Sequence, residues 1–82
     1  MRMVKKMNEK KIKLTGTEEV RDFVREAGKC DFDIDISYNR YVVDAKSFLG
    51  VYGLDFGKPL TVSYHGYNEE FEELLKQIAI AS

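Results

Sequence analysis

The chain alternates between two hydrophobic periods. KKIKL at residues 10–14 places Ile12 and Leu14 on one side and lysines on the other, the pattern of a half-buried strand. In the TGTEEVRDFVREAGK that follows, Val20, Phe23, Val24 and Ala27 recur at three- and four-residue steps, one apolar stripe of a helix. Thr15 with Glu18, or Thr17 alone, is expected to cap that helix. Its acidic first turn suits the positive end of the helix dipole, and Gly28 is a natural stop. CDFDIDISY is the cleanest strand: Phe32, Ile34, Ile36 and Tyr38 alternate with Asp33, Asp35 and Ser37, so one face is core and the other is wet.

Asn39-Arg40 predicts a tight turn into a returning strand, RYVVDA. SFLGVYGL is expected to form a short helix, followed by a DFGKP loop. LTVSYHG then supplies the last strand, with Leu60, Val62 and Tyr64 inward. Asn68 caps a final helix in which Phe71, Leu74, Leu75 and Ile78 return to the helical period.

The order β-α-β-β-α-β-α, with one sheet face apolar and the other polar, predicts a two-layer α+β sandwich. Ferredoxin-like βαββαβ folds share much of this pattern, so periodicity alone leaves both open. At 82 residues the chain is expected to form a single domain over residues 1–82, with residues 1–9 either disordered or extending the first strand. A domain of this size buries only about 60% of its unfolded surface, so its core must be efficient.

Net charge is −1 but unevenly spread. Residues 1–14 hold Arg2, Lys5, Lys6, Lys10, Lys11 and Lys13 against Glu9, while NEEFEE at residues 68–73 is acidic. The basic arm reads as a solvated tail rather than a nucleic-acid contact, because Asp33 and Asp35 on the wet sheet face oppose a phosphate backbone. No run reaches the length of a membrane span and the N-terminus lacks a signal-peptide core, so the expectation is a cytoplasmic protein without a membrane partner. Cys30 is the lone cysteine, which rules out an intramolecular disulfide and reads as a core thiol. Nothing calls for a metal or an organic cofactor.

YNRYVVDAKSFLGVYGL resembles HPr, the phosphocarrier protein of the bacterial sugar phosphotransferase system, whose members carry a strand–turn–strand followed by a Lys-Ser-apolar-apolar-Gly segment. The likeness runs without a gap from about Val20 to Leu54, through Ala45-Lys46-Ser47 and Phe48-Leu49-Gly50, and more loosely to residue 78. It implies an open-faced sandwich of four antiparallel strands covered on one face by three helices. It also implies a histidine just before the first helix that carries phosphate from enzyme I to sugar permeases, and an arginine two residues later. Those positions fall at Gly16 and Glu18, so the carrier's nucleophile is missing and Glu18 and Glu19 would repel a phosphoryl group. His65, the only histidine, belongs to the far end of the last strand and reads as a solvent-facing sheet residue.

Ser47 matches the serine that a dedicated kinase phosphorylates in HPr proteins of low-GC Gram-positive bacteria, making a co-repressor for carbon catabolite control. A serine at a helix N-terminus can rest a phosphate on free backbone N–H groups, and Phe48, Leu49 and Tyr52 beside it form a candidate partner patch. The same hydroxyl also reads as a plain N-cap. Tyr52 and Gly53 stand where the family usually has Met and Ser or a similar pair. Some family variants lack the histidine, keep the serine and act in regulation.

Three functions follow. The first is a non-enzymatic regulatory or adaptor protein working through Ser47, with an HPr kinase and a transcription factor as implied partners. The second is a phosphocarrier using another acceptor, and the third a drifted protein- or nucleic-acid-interaction module. An acylphosphatase-like enzyme is disfavoured, since LTGTEE has no arginine for a phosphate-binding loop.

Overall fold

The computed structural model describes residues 7–54 and 57–80. Arg2, Lys5 and Lys6 of the basic arm, Asp55 and Phe56 of the expected loop, and residues 81–82 lie outside the described residues, as does most of the expectation for residues 1–9. The elements are β1 (Asn8–Ile12), α1 (Thr17–Gly28), β2 (Ile34–Tyr38), β3 (Tyr41–Asp44), α2 (Phe48–Tyr52), β4 (Leu60–Tyr64) and α3 (Glu69–Ile78). The four strands form one antiparallel sheet in the order β1-β4-β2-β3. This is an α+β open-faced sandwich, and the helices cover one face.

The inner strand β4 sets the two layers. Leu60, Val62 and Tyr64 are buried under the helices, with Ile12 of β1 and Ile34 and Ile36 of β2 beside them. Val20, Phe23 and Ala27 of α1 and Phe71 and Leu75 of α3 close that core, the faces predicted by their helical spacing. Among the described residues no polar or charged residue is buried. The opposite face carries Glu9 and Lys11, Thr61 and Ser63, Asp35 and Ser37, then Val42 and Asp44, strand by strand across the sheet.

Tyr64 is the hub of an aromatic cluster. Phe32 stacks on its ring with centroids 5.9 Å apart, and Phe71 meets it edge-on at 5.5 Å. Its hydroxyl donates to Glu72 Oε2 at 2.5 Å, and Lys10 Nζ lies 3.6 Å from Glu72 Oε1. One chain of contacts thus links β1, β4 and α3. Gly66 closes the cluster: its φ is +152°, and a Cβ there would sit 2.4 Å from the Phe32 ring, so only glycine fits.

Several boundaries differ from expectation for physical reasons. β1 occupies Asn8–Ile12 rather than residues 10–14, because its partner β4 begins at Leu60, opposite Ile12. Leu14 is still fully buried, beyond the ladder. The outer edge of β1 is instead taken by the C-terminal segment: Lys13 N–H donates to the Ile78 carbonyl and Ile80 N–H to the Lys11 carbonyl, each at 3.1 Å.

The α1 cap also differs. Gly16 is the N-cap, with no side-chain bond, while Glu19 reaches back to accept from the Thr15 N–H at 2.9 Å and the Thr15 hydroxyl at 3.1 Å. Neither Thr15 with Glu18 nor Thr17 caps the helix. The Asn68 cap is as expected, its Oδ1 accepting from Phe71 N–H at 2.9 Å. β3 is shorter than RYVVDA, since Arg40 belongs to the turn in which Asn39 takes φ 55°.

Burial and the bond to Glu72 push the Tyr64 phenol well above its ordinary value. Between the unfolded and folded values the native state holds a proton that the unfolded chain has lost, so stability falls as pH rises past about 10. Tyr64→Phe is expected to remove that part of the alkaline decline. At neutral pH the same change should lower stability by about 2 kcal/mol, because the Glu72 carboxylate loses its donor. Urea midpoints measured from neutral to alkaline pH check both statements.

Candidate functional site

The turn between β3 and α2 is built by its own polar groups. Asp44 Oδ1 accepts from the Lys46 N–H at 2.9 Å, and the Asp44 carbonyl accepts from the Ser47 N–H at 3.0 Å. Ala45 between them is fully buried, which anchors the turn to the core. Lys46 then reaches across to donate its ammonium to the Cys30 carbonyl at 3.0 Å, tying this turn to the loop after α1. That tether was not foreseeable from local pattern, since its acceptor is a backbone group sixteen residues away.

Ser47 sits in extended conformation at the N-cap of α2, and its Oγ accepts from the Gly50 N–H at 3.3 Å. The residue is exposed, so the hydroxyl caps the helix and faces water at once. α2 spans only five residues, too short for a large macrodipole. Gly50 lets α2 lie close to β3, because a Cβ there would come within 3.3 Å of Val43 Cβ.

The expected apolar patch divides in two. Leu49 is 81% exposed and Tyr52 46% exposed, whereas Phe48 is half-buried against the core. Phe48 and Tyr52 stack at 5.5 Å with their planes 20° apart, and Phe48 also borders a shallow groove with Arg21, Val24 and Arg25. A second groove of about 250 Å3 lies on the other side of α2, lined by Tyr38, Tyr41, Val43, Gly50, Gly53 and Leu54. The larger cleft between α1 and α3, about 610 Å3, is a charged surface furrow whose Arg25 and Lys29 are paired with Asp22 and Glu26.

Gly16 and Glu18, where the resemblance places the carrier histidine and arginine, are the N-cap and first turn of α1. That helix end presents glycine backbone and two carboxylates, Glu18 and Glu19, with Glu19 turned back onto Thr15. His65 is exposed one residue past β4. The pairing of Tyr64 with Asn8 sets it at the start of β1, whereas α1 begins after the opposite end of that strand. The structure therefore does not bring His65 to α1. Among the described residues no three potential metal ligands converge.

Ser47→Ala removes the α2 cap and is expected to lower stability by about 1 kcal/mol, while Ser47→Asp retains a capping acceptor and stays nearer the parent. Chemical denaturation of the three proteins side by side checks the order.

No family model matches the chain, and no curated protein matches it. Solved structures do. Phosphocarrier protein HPr from Bacillus anthracis superposes with a TM-score of 0.70 and 26% identity, over 88% of this chain and 96% of that one. HPr-C-His from Thermoanaerobacter tengcongensis gives a TM-score of 0.66 and 26% identity over 88% of each chain. The chain has the fold of the HPr phosphocarriers.

Proposed function

We propose that this protein is a non-enzymatic, regulatory member of the HPr group, read through phosphorylation of Ser47 and the adjoining apolar surface of α2. The observation that carries this is the solvent-facing Ser47 hydroxyl next to exposed Leu49 and Tyr52, on an HPr-like fold. Phosphate on Ser47 adds nearly two negative charges beside an apolar surface, which changes what that surface can bind. The natural occupants are a kinase that docks on α2 and a transcription factor or similar protein in carbon catabolite control. Phe48 acts here mainly by holding Tyr52 in place.

Gly16 and the carboxylates of Glu18 and Glu19 count against phosphocarrier work, since glycine has no side-chain acceptor and the first turn of α1 already carries negative charge. Incubation with HPr kinase and ATP is expected to add one phosphate by intact mass, and Ser47→Ala to abolish it. Incubation with enzyme I and phosphoenolpyruvate is expected to leave the mass unchanged. An unmodified protein in the first experiment rejects the regulatory reading. Labelling in the second would establish a carrier with a different acceptor.

A further inference from the structure

The two edges of the sheet are treated differently. The C-terminal segment hydrogen-bonds along the outside of β1, whereas among the described residues no backbone hydrogen bond covers the outside of β3. The β3 edge is also apolar, with Tyr41 69% and Val42 62% exposed, and it lacks the lysine or proline that commonly blunts a free strand.

The hydrogen-bond phase of that edge follows from one contact. Ala45 N–H donates to the Ile34 carbonyl at 2.9 Å, so Ala45 is in a bonded pair with Ile34. Antiparallel pairs alternate, which turns the N–H and C=O of Tyr41 and Val43 toward β2 and those of Val42 outward. Val42 thus presents a donor and an acceptor on the open edge, the requirement for pairing with another strand.

The sequence around Val42 is self-complementary. In RYVVD, an antiparallel copy centred on Val42 sets Tyr41 opposite Val43 and Arg40 opposite Asp44, twice each by symmetry. Asp44 already faces Asp35 across β2–β3, a like-charge pair on the bare face, and neither acid has an ion pair among the described residues. Arg40 has none either, and the second copy's Arg40, in the turn just before its β3, arrives at the end of the pairing next to that acidic pair. On the helix side, the second copy's Tyr41 falls beside Val43, a wall of the 250 Å3 groove between the hairpin and α2.

We propose that the protein forms a two-fold dimer by antiparallel pairing of β3 with β3 of a second copy, centred on Val42 and joining the two sheets into one of eight strands. The test is sedimentation equilibrium of the full chain up to about 0.5 mM, where an association of modest affinity is still resolved. A monomer–dimer equilibrium is expected. Arg40→Asp and Asp44→Arg should each weaken it at least tenfold, by setting like charges opposite one another. An equimolar mixture of the two should regain the dimer, because every cross-strand charge pair is then opposite again. Val42→Pro, which removes an N–H that the chain's own ladder does not use, should leave a folded monomer by circular dichroism. The Val42 amide should also exchange more slowly with deuterium as the concentration of the parent protein rises. A parent monomeric throughout the range overturns the proposal and leaves the edge to a strand from another protein. A dimer insensitive to the single charge changes, or a mixture of folded variants that stays monomeric, overturns it as well.

Discussion

The rest of the molecule depends on keeping the inward side of β4 dry. β4 is hydrogen-bonded on both edges, so it cannot turn its side chains elsewhere without losing two ladders. Leu60, Val62 and Tyr64 must therefore be roofed, and among the described residues α1 and α3 supply the two long apolar helix stripes that do it. Tyr64 makes the problem harder, since its hydroxyl is carried under the roof with the ring. Glu72 answers it by offering an acceptor from α3, with Lys10 of β1 balancing the charge. Packing of the roof and satisfaction of one polar atom are thus the same event.

The far end of the sheet has a different economy. β3 is packed on its helix side by α2, a single short turn seated by Gly50 and Val51. A five-residue helix cannot bury all of its residues and still cap the turn that precedes it. Leu49 and Tyr52 are left outside as a geometric consequence. Of the three helices, the one that follows the Ser47 hydroxyl also buries the fewest residues, Val51 alone.

How much of this is legible in the residues depends on whether the determinant is local. Ile34 and Ile36 alternating with acids announce β2, and the Phe71, Leu75 stripe after Asn68 announces α3 together with its cap. Those signals lie within one element. The position of β1 is not legible, because Leu14 continues its alternation while the ladder stops where β4 begins. Nor is the α1 cap, where Glu19 rather than Glu18 turns back to Thr15. At the site, a serine before an apolar run marks Ser47 as a cap. The Lys46 tether to Cys30 and the division of Phe48 from Leu49 arise from tertiary placement alone. The resemblance to HPr foresaw the fold because it encodes that placement as a whole.

The bond between Lys46 and the Cys30 carbonyl has a neighbour with its own consequence. Cys30 is the chain's only thiol; it is buried, donates to the Glu26 carbonyl at 3.5 Å, and is made less acidic chiefly by that burial. A protonated, nearly buried thiol reacts slowly with alkylating reagents, so its modification is governed by how often the end of α1 opens. The molecule carries, in effect, a built-in clock for the loosening of the loop to which the Ser47 turn is tied.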